Sequence, residues 1–321
     1  MKIDVIIPTY KPGEELFCLL DKLAQQSIRP NKVILMNTEK SFFKKLTEGR
    51  DFWKKYPFAE VWHLPKKYFD HGGTRRLGVT KSDADVFVML TQDAMPADAF
   101  LLEKLTAHLE GKVAAAYGRQ LPRRDSGVLE RISRQFNYPE TSRLKGREDM
   151  EKMGIKTFFC SNVCAAYRRD AYDELGGFPH RAIFNEDMIY ASKAVRAGWQ
   201  IAYEAEARVI HSHNYNCMQQ FHRNFDLGVS QADHPEVFGD VKSESEGKKY
   251  VKHVIMALKD RGQLGKTPYF LLQSVFKYGG YLLGKNYRKL PKCLILLASD
   301  NKQYWKNKTK SSQKRHRMNT N

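Results

Sequence analysis

Through residues 1–220, short apolar runs alternate with amphipathic stretches, and each run stops on polar residues. Ile3 to Ile7 ends on Pro8-Thr9-Tyr10 and is followed by a helical face of Leu16, Leu19, Leu20 and Leu23. Val33 to Met36 ends on Asn37-Thr38-Glu39, and Glu60 to Leu64 supplies a third run. Val86 to Leu90 is wholly apolar and stops on Thr91-Gln92-Asp93. Runs this short, rich in β-branched and aromatic residues, predict strands buried on both faces. Strand, polar turn and helix in repetition predict βαβ units with right-handed crossovers, so the polar strand ends share one edge of a Rossmann-like, mostly parallel sheet flanked by helices. In such α/β folds that edge is where ligands bind.

Further on, the pattern predicts a strand at Val113 to Tyr117 and then an arginine-rich segment, Arg119 to Arg147. Its interspersed acids favour a solvated helical face, with a mobile acceptor-side loop as the alternative. Thr157 to Tyr167 reads as a buried strand, and the polar Ser161 and Asn162 inside it either find partners or face a cleft. The cleft is slightly favoured. Leu175 to Pro179 is a turn. Asn185 can cap a helix that carries Met188, Ala191, Ala194 and Val195 inward, with Glu186 and Asp187 in its first turn. Trp199 to Tyr203 and Ala207 to Ile210 read as two more strands, the second ending on His211-Ser212-His213.

From about Gln219 the pattern becomes helical. The expected division is a catalytic domain over 1–220, a helical extension over 221–300 and a basic tail of disordered composition over 301–321. Charge supports it. Residues 241–321 hold 19 Lys and Arg against 4 Asp and Glu, so 15 of the 18 surplus positive charges lie there. Between Pro268 and Leu283 aromatic and aliphatic residues mix with lysine, which suits an interfacial helix on an anionic membrane. Packing back on the main domain is the alternative. A nucleic-acid partner, with Tyr281, Tyr287 and Trp305 as stacking residues, is disfavoured because the charge is segregated from the polar strand ends. The five cysteines contain no C-x-x-C pair, which argues against a disulfide framework and a structural zinc site. The opening residues read as a strand and not as a leader, and no run reaches the roughly 18 apolar residues of a spanning helix. The expected location is cytoplasmic, peripheral on the inner face of the membrane.

The chemistry sits at the run ends. Gly72-Gly73 before a helix lets backbone N–H groups approach an anion, with Arg75 placed to bind a phosphate; a glycine cap with solvated arginines fits equally. His211 and His213 lie on one face of an extended segment; strand histidines are more often satisfied hydrogen-bonding groups, but with Asp93 one of them could complete an open Mg²⁺ or Mn²⁺ site. Asp187 is either a dipole-stabilising first-turn acid or a general base.

Together these residues resemble the family-2 glycosyltransferases of the GT-A fold, and among them the bacterial rhamnosyltransferases of surface polysaccharide synthesis. The match is carried by Pro8-Thr9-Tyr10, His71-Gly72-Gly73-Thr74-Arg75, Thr91-Gln92-Asp93-Ala94, Gly176-Gly177-Phe178, Asn185-Glu186-Asp187 and His211-Ser212-His213-Asn214-Tyr215, in that order. The resemblance implies that Pro8, Thr9, Tyr10, Asn37 and Thr38 line the nucleotide pocket, although many members carry Asp where Asn37 stands. It implies Gly72, Gly73, Thr74, Arg75, Gln92 and Asp93 around the donor diphosphate, and Asp93, His211 and His213 around a divalent Mn or Mg ion. Asn162, Gly177, Phe178 and Glu186 would meet substrate, and Asp187 would be the base. The implied reaction is inverting transfer from dTDP-β-L-rhamnose, or another nucleotide sugar such as a UDP-hexose, to a glycan on a polyprenyl lipid.

Overall fold

The computed structural model describes residues 1–239 and 244–306. One sheet of nine strands organises it: β1 (Ile3–Tyr10), β2 (Lys32–Thr38), β3 (Ala59–Leu64), β4 (Val86–Leu90), β5 (Met95–Pro96), β6 (Val113–Leu121), β7 (Arg143–Lys145), β8 (Cys164–Arg168) and β9 (Gln200–Ile210). Their order is β3-β2-β1-β4-β8-β6-β9-β5, with β7 on β9. The first four are parallel, whereas β8 runs antiparallel to both neighbours, β4 and β6, so the sheet is mixed beyond β4. Chain order reverses between β1 and β4. That switch point leaves a crevice at the carboxyl ends of these two strands, where Tyr10 and Asp93 emerge.

Alternation along the central strands fills both faces. On β4, Val86, Val88 and Leu90 pack with Leu16, Leu19 and Leu20, while Phe87 and Met89 face a second core of Tyr167, Tyr172, Phe178 and Tyr190. A strand covered on both sides has no polar face to show, which is why these runs read as continuously apolar.

Two strand assignments change. The Thr157–Tyr167 run is a strand only from Cys164; Gly154–Phe158 forms a 3-10 turn and Ser161-Asn162 lie in the connecting loop. The two expected strands after Trp199 are one, β9, broken in register between its pairings with Gly118 and Arg119. A bulge there re-aims the strand end that carries His211.

The extension begins inside the helix Cys217–Asp233, which crosses the expected 220/221 boundary and packs along the helix Thr267–Lys285. Phe225, Val229, Tyr287 and Trp305 close over Ile183 of the catalytic region, so the inner side of the extension is core. Tyr287 and Trp305 are buried, with ring centroids 5.2 Å apart, and neither is free to stack a base. The start of the expected tail, Lys302–Lys306, is helical; 307–321 lies outside the described residues. Among the described residues no helix is long and apolar enough to cross a membrane.

Candidate active site

Pairing of Met95 with Ile210 draws the end of β4 against the end of β9. Asp93 and His211 are thereby neighbours although far apart in the chain. Asp93 Oδ2 lies 3.5 Å from His211 Nε2 and 3.3 Å from His213 Nε2, and the two Nε2 atoms are 3.1 Å apart. Burial raises the Asp93 pKa, but the His211 and His213 imidazoles beside it outweigh it and hold the carboxyl below its usual range. His211 Nδ1 donates to Gln120 Oε1 at 2.9 Å, which leaves Nε2 as the free lone pair. Gln120 is fixed in turn: Nε2 donates to Tyr138 Oη and Ser161 Oγ, and Oε1 also accepts from Arg134. One carboxylate oxygen and two imidazole nitrogens converging this way can hold a divalent cation, and the ligand atoms lie within 4.8 Å of one another.

A second unit is built on the loop 160–162 and the start of the helix Glu186–Arg196. Asn185 does not cap this helix through its side chain; it stands in the left-handed region at φ 63°, and its carbonyl accepts the first helical bond, from Ile189. Asp187 Oδ2 accepts from Asn162 N–H at 2.9 Å and Oδ1 from Met188 N–H at 2.8 Å. Asn162 Nδ2 donates to Glu186 Oε1 at 2.9 Å, and Tyr167 Oη donates to Asn162 Oδ1 at 2.8 Å. Arg75 Nε lies 3.3 Å from Glu186 Oε1, both side chains being buried. Burial and then the Glu186 charge push the Asp187 carboxyl up to about 7. Burial also opposes ionisation of Glu186, but Arg75 and His71 overcome it and keep that carboxyl low. Two adjacent acids are thus driven apart, with Asp187 able to exchange a proton near neutrality.

Several other expected site residues are engaged in this framework. Arg75 is committed to Glu186 and to the His71 carbonyl, because a buried carboxylate without a cation would be costly. Gly73 N–H is taken by Asp70 Oδ1 at 2.7 Å, and a Cβ on Gly72 would sit 2.8 Å from the Pro179 carbonyl, so the glycine pair permits close packing on 179–182. Thr74 is buried beside them. Asn162 and Glu186 are buried partners of the acid unit, so the polar Asn162 finds its partners within the fold. Gly177 holds φ +64° under the Tyr172 ring, and Phe178 is core, its N–H bonded to Tyr172 Oη at 3.0 Å.

At the β1 and β2 ends, Thr9 Oγ1 donates to Asn37 Oδ1 at 3.1 Å, and Asn37 Nδ2 donates to the Glu39 carbonyl and to His63 Nδ1. Asn37 is fully buried with both ends committed, so it shapes the pocket from beneath. Gln92 bridges the backbone of Tyr10, Oε1 accepting from its N–H and Nε2 donating to its carbonyl, which ties β1 to β4. Pro8 is partly exposed beside them. Tyr10 and Thr38 line a cavity of about 420 Å³ with Lys66, His71, Asn301 and Tyr304. Lys11 and Glu39, the residues following β1 and β2, hold φ of 48° and 68°. Strain of this kind in non-glycine residues persists where surrounding structure over-determines a site.

The family model described as glycosyl transferase family 2 matches residues 4–176. The chain belongs to glycosyl transferase family 2. It is 40% identical over 317 residues to "O-antigen chain rhamnosyltransferase RfbN" of Salmonella typhimurium, covering 98% of this chain and 99% of that protein. It is 37% identical to "O-antigen chain rhamnosyltransferase WbaN" of Salmonella anatum, covering 97% and 98%. Among solved structures, the mannosyltransferase PcManGT from Pyrobaculum calidifontis, in complex with GDP-Man and Mn²⁺, superposes with a TM-score of 0.60 at 14% identity over 90% of this chain and 88% of that one. TarS 1-349 of S. aureus in complex with UDP follows at 0.50 and 16%, covering 90% and 92%. These likenesses show the GT-A-type fold and the glycosyltransferase family.

Two parts of the site in this family-2 enzyme have no counterpart in the motif reading. Residues Asp300–Tyr304 and Lys306 wall the cavity beside β1. Arg223, exposed on the helix Cys217–Asp233, lies over Phe184 at 4.7 Å and Tyr215 at 5.7 Å, residues that stand in the chain just before the acid unit and just after the metal-ligand set. Both come from the extension, where only general helical character is legible; an arginine beside aromatic residues was the available signal.

Proposed function

We propose that this enzyme transfers an L-rhamnosyl residue from dTDP-β-L-rhamnose to a lipid-linked glycan, with inversion. The donor sugar rests on one observation, the full-length similarity to proteins named O-antigen chain rhamnosyltransferases. The catalytic geometry supports the reaction type. Asp93, His211 and His213 are the residues that would hold a divalent cation, and their two imidazoles favour Mn²⁺ over Mg²⁺. When bound, such a cation supplies Lewis-acid stabilisation of the departing diphosphate.

Asp187 takes the proton of the acceptor hydroxyl as the new C–O bond forms and the bond from the anomeric carbon to the diphosphate oxygen breaks. Its two backbone hydrogen bonds fix the carboxylate, and Glu186 raises its basicity toward the working pH. A single displacement turns the β-linked donor into an α-linked product. The extension supports a peripheral, cytoplasmic-side location: the outer face of the helix Thr267–Lys285 exposes Leu271, Leu272, Val275 and Tyr278, with Lys285, Lys289 and Lys292 exposed beyond it. Apolar side chains bordered by cations fit an anionic bilayer surface.

Purified protein assayed with dTDP-rhamnose and a panel of UDP-sugars, with and without Mn²⁺, tests this by nucleotide release. Release confined to dTDP-rhamnose is expected, with loss in Asp187→Asn and retained donor binding. Turnover of UDP-hexoses alone would refute the rhamnosyl assignment, and full activity of Asp187→Asn would remove the base.

A further inference from the structure

Between the catalytic region and the extension lies a cavity of about 290 Å³, walled by the start of the helix Val128–Asn137, the stretch 213–216 and the helix Thr267–Lys285. His213 belongs to both this wall and the metal-ligand set, so the cavity borders the reaction centre. Lys277 lines it. That lysine stands on the row Phe270, Gln273, Gly280 and Gly284, at spacings of three and four residues, which is the buried side of its helix.

The Lys277 ammonium lies 5.3 Å from the Tyr250 ring centroid, and no carboxylate pairs with it among the described residues. Glu130 is the one carboxylate among the described residues of the wall, and it is committed to Arg134 Nε at 2.6 Å. Burial lowers the ammonium's pKa. Glu130 offsets that only in part, and a half-buried cation without a paired carboxylate is costly until an anion enters. The surroundings are fixed for such a guest: Gln273 Nε2 donates to the Tyr215 carbonyl at 3.0 Å and to Tyr269 Oη at 3.2 Å. Lys266, exposed, adds a second cation at the rim. The opposite side of the same helix is the exposed apolar face of Leu271, Leu272 and Val275.

We propose that this cavity binds the diphosphate of a polyprenyl-diphosphate acceptor, with Lys277 and Lys266 holding the anion, the glycan reaching past His213 and the lipid leaving along the helix's apolar face. The inference deepens the acceptor reading above and rests on it. One cation inside, one at the rim and an apolar exit on the same helix match an anion joined to a hydrocarbon chain.

Farnesyl diphosphate titrated into the full chain in the presence of a chelator is the probe, with farnesol and inorganic pyrophosphate as arms for the lipid and the anion alone. Farnesyl diphosphate should bind more tightly than either arm, Lys277→Met should weaken it by about tenfold or more, and Lys277→Arg should keep most of the affinity. Lys266→Ala, at an exposed position, should weaken binding by a smaller factor. Equal affinity of wild type and Lys277→Met would overturn the site, as would farnesol or pyrophosphate binding as well as the joined molecule. If Lys277→Met fails to fold, unchanged binding by Lys266→Ala would overturn it in its place. Binding uses no sugar and the donor panel uses no lipid, so failure of the cavity and failure of rhamnosyl transfer are separate results.

Discussion

Asp187 and Glu186 are adjacent in the chain and opposite in behaviour. Both are held by Asn162, yet only Glu186 faces Arg75, so the pair shares one strong cation and one acid carries the cost of burial. Activity should therefore fall as pH drops through about 7, where Asp187 takes up its proton. Glu186→Gln removes a negative charge that raises the Asp187 pKa, so the acid limb should move to lower pH. A pH–rate profile of the residual transfer checks the direction; a limb that stays put would break the coupling. The motif Asn185-Glu186-Asp187 was legible as a candidate base. The roles of Arg75 and Asn162 were not, because they depend on which loop meets which helix.

The helices Cys217–Asp233 and Thr267–Lys285 pack backbone to backbone. A Cβ on Gly284 would lie 2.1 Å from the Phe225 carbonyl oxygen, and one on Gly280 would lie 2.3 Å from that of Phe221. Neither partner is a movable side-chain tip, so Gly284→Ala must push the helices apart. A loss of about 1–3 kcal/mol is expected, read as a lower melting temperature. An unchanged melting temperature would mean that the pair separates freely. The strands show the converse: β4 was legible to its last residue because burial on both faces leaves an unbroken apolar run, whereas the 157–167 run hid a turn, since buried turns and buried strands share composition.

Over the molecule, charge and apolar exposure concentrate in the extension while the catalytic region is nearly balanced. The inner face of the extension walls the pocket beside Tyr10 through Tyr304, and its outer face carries the exposed leucines. On the membrane reading, Leu272→Glu with Val275→Glu should cut sedimentation with anionic vesicles by roughly tenfold or more, given the apolar area each side chain would bury. Donor turnover with a soluble acceptor should be unaffected. Unchanged sedimentation would return this face to an ordinary solvent-exposed role.

Local pattern was enough for the strand runs, the polar strand ends, the family and the principal candidates Asp93, Asp187 and His211, because side-chain periodicity and short motifs are properties of neighbouring residues. Long-range pairing alone brought Asp93 to His211 through the β5–β9 ladder. It also set Arg75 against Glu186, and seated the C-terminal residues against the pocket beside Tyr10. The physical reason is the same in each case: a buried charge or lone pair takes its role from the groups that replace water around it, and those groups are chosen by the fold.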